Sequence, residues 1–115
     1  MEEEYTDILK RAYQSFNNRD INDVLGLMME SVHWPNGWEG GYVNGKEEVK
    51  KYWTRQWQQL NPIVEPLGFE KLSDGRIQVH VHQLVRNVVG EVIFDGRVNH
   101  VYRFENGLIA EMEIR

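Results

Sequence analysis

The stretch IQVHVHQLVRNVVGEVIFDGRVNHVYRFENGLIAEMEI, residues 77–114, decides the fold. Apolar and polar residues alternate along it, which is the period of a half-buried β-strand. Two breaks, VVGE at 88–91 and NG at 106–107, divide the stretch into three strands, and Asn-Gly is the strongest short signal for a hairpin. Inside the second strand, Asp95–Gly96 predicts a β-bulge. The stretch therefore predicts an antiparallel meander.

One more strand is predicted immediately before this meander. IVEPLGFEKL at 63–72 is rich in strand-forming residues, and SDGR at 73–76 marks a turn into the next strand. Pro66 has no amide hydrogen to donate to a neighbouring strand, so we expect an edge strand or a bulge there. The second half of the chain thus predicts four antiparallel strands.

The first half of the chain has the period of helices. Apolar residues fall three and four positions apart between Tyr5 and Phe16, which gives one apolar stripe along a first helix. Asp20 or Asn22 can cap a second, short helix, and a third helix begins near Gly45.

Between the second and third helices the pattern changes twice. SVHW at 31–34 predicts a short strand, and PNGWEGGYVNG at 35–45 predicts a loop because of its glycines. Helices combined with an antiparallel meander indicate an α+β fold. We expect one domain spanning residues 1–115, since no linker or repeat interrupts the pattern.

The composition narrows the classes of function. The chain has 115 residues, a formal net charge of −5 and no cysteine. The negative charge argues against binding to nucleic acid or to an anionic membrane surface, and the lack of cysteine excludes thiolate chemistry. No apolar segment follows the acidic N-terminus, and no stretch approaches the roughly 20 apolar residues of a membrane-spanning helix. We expect a cytoplasmic protein that binds neither nucleic acid nor membrane.

Three segments in register resemble the nuclear-transport-factor-2-like superfamily, in its SnoaL-like and ketosteroid-isomerase-like branch. They are AYQSFNNRDINDVLGLM at 12–28, VNGKEEVKKYW at 43–53 and HVYRFENGLIAEMEI at 100–114. The resemblance implies a cystatin-like cone, in which a curved antiparallel sheet wraps around three N-terminal helices. It also implies a homodimer through the outer sheet face and a small apolar ligand or an active site inside the cone. It implies no single activity, because the superfamily includes isomerases, cyclases, hydratases and simple binding proteins.

The resemblance allows the ketosteroid isomerase site to be tested residue by residue. Those enzymes use a carboxylate base on the first strand, and an oxyanion hole formed by a tyrosine and a protonated aspartic acid. In register, Trp34 takes the position of the base, Ala12 that of the tyrosine and His100 that of the acid. Tyr13 lies one residue further along, about 100° around the helix, and is not expected to replace the tyrosine. Steroid isomerisation is therefore not expected.

The same register and the alternation of strands predict which side chains face into the cone. The set is aromatic and mostly apolar, with a few polar groups, which is typical of ligand sites. It comprises Ala12, Phe16, Trp34, Tyr52, Trp53, Val81, Gln83, His100, Tyr102 and Met112. His100 is the candidate catalytic residue, because a neutral imidazole can take or give a proton. It is alternatively a core histidine whose hydrogen bonds are satisfied by Gln83 or Tyr102.

The remaining motifs give weaker evidence of function. His80 and His82 have a spacing known from metal ligands, but the sequence supplies no evident third ligand, so we expect a polar strip on the outer sheet face and no metal. No glycine-rich phosphate loop and no serine nucleophile elbow is present, so we expect no cofactor. Glu39 is a carboxylate that would orient His100 if its loop folded over the mouth of the cone.

Three functions follow from these expectations. The first is binding of a small apolar molecule, with His100 as its main polar contact. The second is a lyase, isomerase or cyclase acting on a hydrophobic carbonyl compound, with His100 as acid–base and Tyr13 or Tyr102 assisting. The third is a protein-interaction module that uses the outer sheet face. An open cavity that reaches His100 would favour the first two, and a solidly packed cone would favour the third.

Overall fold

The computed structural model describes residues 2–115 and combines helices with one sheet. The helices in this range are α1 (Glu2–Asn17), α2 (Ile21–Leu25) and α3 (Lys46–Gln59). The strands are β1 (Met28–Pro35), β2 (Tyr42–Asn44), β3 (Leu60–Lys71), β4 (Ile77–Asn87), β5 (Val92–Glu105) and β6 (Leu108–Ile114). The predicted α+β fold is confirmed.

The strands form one curled sheet that does not close, in the order β2-β1-β6-β5-β4-β3. The predicted meander from β3 to β6 is antiparallel throughout. At the other end β1 pairs with β6 in parallel and with β2 antiparallel, so the sheet is locally mixed. β2 lies in the segment predicted as a loop, because three residues beside glycines give no periodic signal.

The structure has the features that the sequence predicts at the Asn106–Gly107 turn and at Pro66. Asn106 and Gly107 have φ angles of 54° and 79°, as a type I′ hairpin turn requires. β3 is an edge strand, and its register with β4 shifts between Pro66 and Gly68. The missing amide of Pro66 is tolerated at such an edge, as predicted.

The bulge predicted inside β5 is wrong. Asp95 and Gly96 keep their register with Leu84 and Gln83 of β4, and the extra residue is Ile93 instead. Gly96 is conformationally permissive, but nothing in the pairing requires a bulge there. The structure places the irregularity next to the β4–β5 turn.

The core lies between the helices and the inner face of the sheet. Leu9 of α1 and Val49 of α3 are fully buried there, together with Val79 and Val81 of β4. Asp20 caps α2 by accepting a hydrogen bond from the backbone N–H of Asp23. None of the helices in the described range has the length and apolar character needed to cross a membrane.

Candidate functional site

A cavity of about 690 Å³ lies between the helices and the inner face of the sheet. Its walls are mainly aromatic and aliphatic, and its polar side chains are those of Tyr13, Tyr42, Tyr52, Gln56, Gln83, His100 and Tyr102. No lysine, arginine, aspartate or glutamate lines it within residues 2–115. Trp38, Tyr42, Phe94 and Ile114 line the cavity and are also exposed, so they mark its mouth.

Most of the side chains predicted to face into the cone lie on this cavity wall. They are Ala12, Phe16, Trp34, Tyr52, Trp53, Gln83, His100, Tyr102 and Met112. The expectation for Val81 is wrong: its side chain faces inward but is completely buried in the packed core behind the wall. Alternation gives the direction of a side chain on a strand, but it does not tell where the packed core ends and the open cavity begins.

The deep end of the cavity is formed by a chain of three hydrogen-bonded side chains. The hydroxyl of Tyr102 donates to the hydroxyl of Tyr13 at 2.9 Å, and the Tyr13 hydroxyl is hydrogen bonded to Nδ1 of His100 at 2.7 Å. All three residues are buried, with His100 only 6% exposed. Such a network satisfies groups that would be costly to bury alone.

The partners expected for His100 as a core histidine, Gln83 or Tyr102, are not the ones that contact its Nδ1, which is hydrogen bonded to Tyr13. Both Ala12 and Tyr13 of α1 are buried and line the cavity, because α1 directs more than one residue per turn toward the sheet. The long phenol side chain then carries the Tyr13 hydroxyl to His100 despite the rotation between neighbouring helix positions. The apolar stripe of α1 predicted burial of Tyr13 but not the partner of its hydroxyl.

Burial keeps this network uncharged at neutral pH. Desolvation lowers the pKa of His100 from its usual value of 6.5 to about 4. Desolvation also raises the pKa of Tyr13, an effect strengthened by Tyr102, and raises the pKa of Tyr102 itself. His100 is therefore a neutral imidazole and both tyrosines are neutral phenols across the physiological range.

One ring nitrogen of His100 remains available to the cavity. Nδ1 is occupied by Tyr13, whereas no group in residues 2–115 is hydrogen bonded to Nε2. In the described range, Nε1 of Trp57 is the only fully buried side-chain N or O atom that lacks a hydrogen-bond partner. Because Nε2 of His100 also lacks a partner and is not in that class, it is not fully buried. Since His100 lines the cavity, Nε2 faces its open space.

The loop that carries Glu39 is held at the rim of the cavity by its own hydrogen bonds. Oδ1 of the buried Asn36 accepts from the backbone N–H groups of Trp38 and Glu39, and its side-chain amide donates to Glu39. Arg55 of α3 donates to the same carboxylate at 2.8 Å. These hydrogen bonds, from Asn36 first and then Arg55, lower the pKa of Glu39.

Glu39 consequently does not orient His100. Its carboxylate is exposed, is paired with Arg55 and is not on the cavity wall. The neighbouring Trp38 does line the cavity, which the sequence did not predict. The position of Trp38 depends on the turn at Asn36. A Pro-Asn-Gly sequence predicts such a backbone turn, but it does not predict the direction of the side chain that follows.

Two other histidines, His80 and His82, make separate polar contacts on the outer face of the sheet. Nδ1 of His80 lies 2.9 Å from Oδ1 of Asn99, and Nε2 of His82 lies 2.6 Å from Oδ1 of Asp95. No group of three or more histidine, cysteine, aspartate or glutamate side chains in the described part of the chain could hold a metal ion. His80 and His82 are thus parts of cross-strand polar pairs.

Comparison with known proteins gives one family and a set of similar folds. The family described as SnoaL-like domain matches residues 9–112. No curated protein matches the sequence. Three similar solved structures share 19–24% of their residues with this chain, and at this identity they show the fold alone.

The first is an NTF2-like protein of unknown function from Burkholderia pseudomallei K96243, with 24% identity, a TM-score of 0.84, and coverage of 97% of this chain and 89% of that chain. The second is TerC co-crystallised with polyporic acid, with 23% identity, a TM-score of 0.84, and coverage of 97% and 90%. The third is RV0760c from Mycobacterium tuberculosis in complex with estradiol-17β-hemisuccinate, with 19% identity, a TM-score of 0.81, and coverage of 95% and 90%.

Proposed function

The chain belongs to the SnoaL-like domain family, and on this premise we propose that it binds one small, largely apolar molecule in the cavity, with His100 as the main polar contact. The observation that carries the proposal is the position of the His100 ring. Nδ1 is held by Tyr13, and Nε2 faces an uncharged, mostly aromatic space. A ligand atom that hydrogen bonds to Nε2 would satisfy a polar group that residues 2–115 leave without a partner.

The shape and chemistry of the walls support a ring-containing ligand. Trp34 and Trp53 meet edge to face with ring centroids 5.6 Å apart, and Phe16 packs against Trp53 at 5.2 Å. Aromatic walls of this kind bury a flat apolar body well. Two proteins of similar fold, TerC and RV0760c, were crystallised with polyporic acid and with an estradiol ester, both of which contain rings.

The test is a binding measurement with these two compounds as probes. We expect polyporic acid or estradiol-17β-hemisuccinate to raise the melting temperature and to quench tryptophan fluorescence, because Trp34 and Trp53 line the cavity. His100→Phe should weaken binding, whereas His80→Phe, on the outer sheet face, should not. Failure of both probes to bind, or equal binding by the two variants, contradicts the proposal.

A second candidate function is acid–base catalysis on a hydrophobic carbonyl compound. The specific observation in its favour is that the Tyr102–Tyr13–His100 chain ends at the cavity. With a pKa of about 4, His100 is a weak base, so its contribution would be to donate a hydrogen bond to a carbonyl oxygen as charge develops there. Tyr13 and Tyr102 would hold the imidazole in position.

Exchange of hydrogen for deuterium next to a ketone carbonyl tests this second function. NMR of an enolisable aromatic ketone in D₂O should show exchange, with a buffer base taking the α-proton, that is accelerated by the protein and lost in His100→Phe. Acceleration that persists in the variant removes His100 from the chemistry. Binding of the ketone without faster exchange supports the binding function and not catalysis.

We further propose that the outer face of the sheet pairs two copies of the chain. Ile63 and Leu84 are register partners on this face, and Ile63 is exposed. Arg97 is an exposed cation on the same face with no ion pair in the described range. A twofold contact there would cover the apolar pair and supply carboxylates to Arg97.

The oligomeric state tests the dimer. Light scattering after gel filtration should give twice the chain mass for the protein and a shift toward the monomer for Arg97→Glu. Lys50→Glu, on the exposed side of α3, is the matched control and should not change the mass. A monomeric wild-type protein contradicts this part of the proposal.

A further inference from the structure

We propose that the Tyr102–Tyr13–His100 chain runs in one direction and makes His100 a hydrogen-bond donor toward the cavity, so that the ligand is recognised through an uncharged acceptor oxygen such as a ketone or quinone carbonyl. This inference rests on the proposed binding function and names the chemical class of the ligand. It is carried by the order of the three side chains, by their burial and by a cavity wall on which the described part of the chain places no charged side chain.

The direction of the chain follows from counting protons. Each tyrosine hydroxyl has one proton to donate, and a neutral histidine has one N–H. Tyr102 donates to Tyr13 at 2.9 Å, so the proton of Tyr13 is free to go to Nδ1 of His100 at 2.7 Å. Nδ1 is then an acceptor, and the single ring proton of His100 is on Nε2.

The opposite direction leaves a buried donor without a partner. If Nδ1 of His100 carried the proton, Tyr13 would accept from His100 and donate to Tyr102. The hydroxyl proton of Tyr102 would then have no acceptor, because Tyr13 is its one hydrogen-bond partner in the described range. Tyr102 is almost fully buried, and an unsatisfied buried donor costs about 1–3 kcal/mol.

The consequence for recognition is a donor at the deep end of the cavity. Nε2–H of His100 faces the open space, so a carbonyl oxygen can accept from it, whereas a hydroxyl group can pair there only through its oxygen. The burial that keeps His100 neutral strengthens this preference, since the ring does not offer a second proton. The tautomer is thus a specificity element set by Tyr13 and Tyr102, which do not need to touch the ligand.

The cavity wall also selects against a charged group placed beside His100, whereas a charge carried at the mouth of the cavity stays hydrated. No charged side chain of residues 2–115 lines the cavity, and its walls are mainly aromatic and aliphatic. A carboxylate placed beside neutral His100 would lose its hydration without gaining a counter-charge, which is costly. A neutral carbonyl gains the hydrogen bond without this penalty.

The strand register indicates how the ligand body lies. His100 pairs with Val79 of β4, and Gln83 lies four residues further along β4 on the same inner face. Four residues of a strand span about 14 Å, and Gln83 is half-buried on the way to the mouth. With its acceptor oxygen at His100, the ligand therefore extends its rings along the apolar wall toward Gln83.

The tautomer can be measured without any ligand. Long-range ¹H–¹⁵N correlation spectra of the histidine side chains should show His100 at pH 7 with a protonated Nε2 and an unprotonated Nδ1. The signals of His100 are assigned by their loss in His100→Gln. A proton on Nδ1 overturns the inference whatever the ligand. Tyr13→Phe should give a mixture of both tautomers, because it removes the donor that fixes Nδ1.

The ligand class is tested with three compounds that share one ring system. We expect 9-fluorenone to bind, and its affinity relative to fluorene to fall roughly three- to tenfold in His100→Phe, since a net hydrogen bond is worth that factor. Fluorene-9-carboxylate should bind at least tenfold more weakly than 9-fluorenone. His80→Phe is the control and should leave all three affinities unchanged.

The possible outcomes separate this inference from the proposed function. Binding of fluorene and fluorenone with the same ratio in wild type and His100→Phe contradicts the donor role and leaves cavity binding intact. Preferential binding of the carboxylate contradicts selection for an uncharged acceptor. If none of the three compounds binds, the binding function fails as well, while the spectra still decide the tautomer. If His100→Phe does not fold, the same ratio is measured in Tyr13→Phe.

Discussion

The hydroxyl of Tyr13 and Nδ1 of His100 lie 2.7 Å apart although 87 residues separate them in the chain. The contact joins the first helix to the strand β5 and closes the deep end of the cavity. Their rings are nearly parallel, with an interplanar angle of 9° and centroids 5.9 Å apart. The imidazole of His100 is therefore held in place both by ring packing and by the hydrogen bond.

The low pKa of His100 predicts an acid-dependent loss of stability. The folded protein keeps His100 neutral down to about pH 4, whereas the unfolded chain binds the proton near pH 6.5. The unfolded state therefore binds more protons between these values, and stability falls as the pH decreases through this window, by roughly 3 kcal/mol from this group. Urea unfolding at pH 7 and pH 4.5 should show a smaller difference for His100→Gln than for the wild type. An equal difference would show that His100 is not held neutral.

The central position of Tyr13 in the hydrogen-bond chain predicts unequal effects of two matched substitutions. Tyr13→Phe leaves the buried hydroxyl of Tyr102 without an acceptor and Nδ1 of His100 without a donor, and we expect a loss of about 2 kcal/mol. Tyr102→Phe leaves the Tyr13–His100 bond in place, and we expect a loss of about 1 kcal/mol. Urea titrations measure the free energy of unfolding of both variants. A larger loss for Tyr102→Phe contradicts the central position of Tyr13 in the chain.

Two paired valines on the inner face should differ in their tolerance of a larger side chain. Val98 of β5 lines the cavity, whereas its register partner Val81 of β4 is fully buried in the core. Val98→Phe should therefore fold with little loss of stability and abolish binding of the probes, because the added ring occupies the cavity. Val81→Phe should lose about 1–3 kcal/mol through overpacking. Thermal unfolding measures the stability of both variants, and probe titration measures their binding. Tolerance of the larger residue at both positions would contradict the boundary between core and cavity.

The turn at Asn36 should matter more than the ion pair that accompanies it. Asn36 is buried, and its Oδ1 accepts from two backbone N–H groups. Asn36→Ala leaves both donors without this partner, and we expect a loss of about 1–3 kcal/mol. Glu39→Gln keeps an acceptor for Asn36 and Arg55 at an exposed position, so we expect no measurable change in the urea midpoint. Equal losses for the two variants would mean that the ion pair holds the loop.

The sequence alone determined the parts of this protein that depend on local periodicity. β4 and β5 begin and end where the alternation does, and Asn106–Gly107 forms the expected hairpin turn. The inward direction of Trp34, His100 and Met112 followed from the period of two together with the register that the family resemblance implied, since a strand turns successive side chains to opposite faces. The periodic features need only a few neighbouring residues.

Only the tertiary structure decided which groups meet inside the sheet. Tyr13 joins His100, Glu39 turns to Arg55 rather than to His100, and Val81 lies behind the cavity wall. Each of these outcomes depends on how far a side chain reaches and on how α1, α3 and the loop pack against the sheet. Periodicity gives the direction of a side chain but not the distance to a partner 87 residues away. The chemistry of His100 is set by that distance.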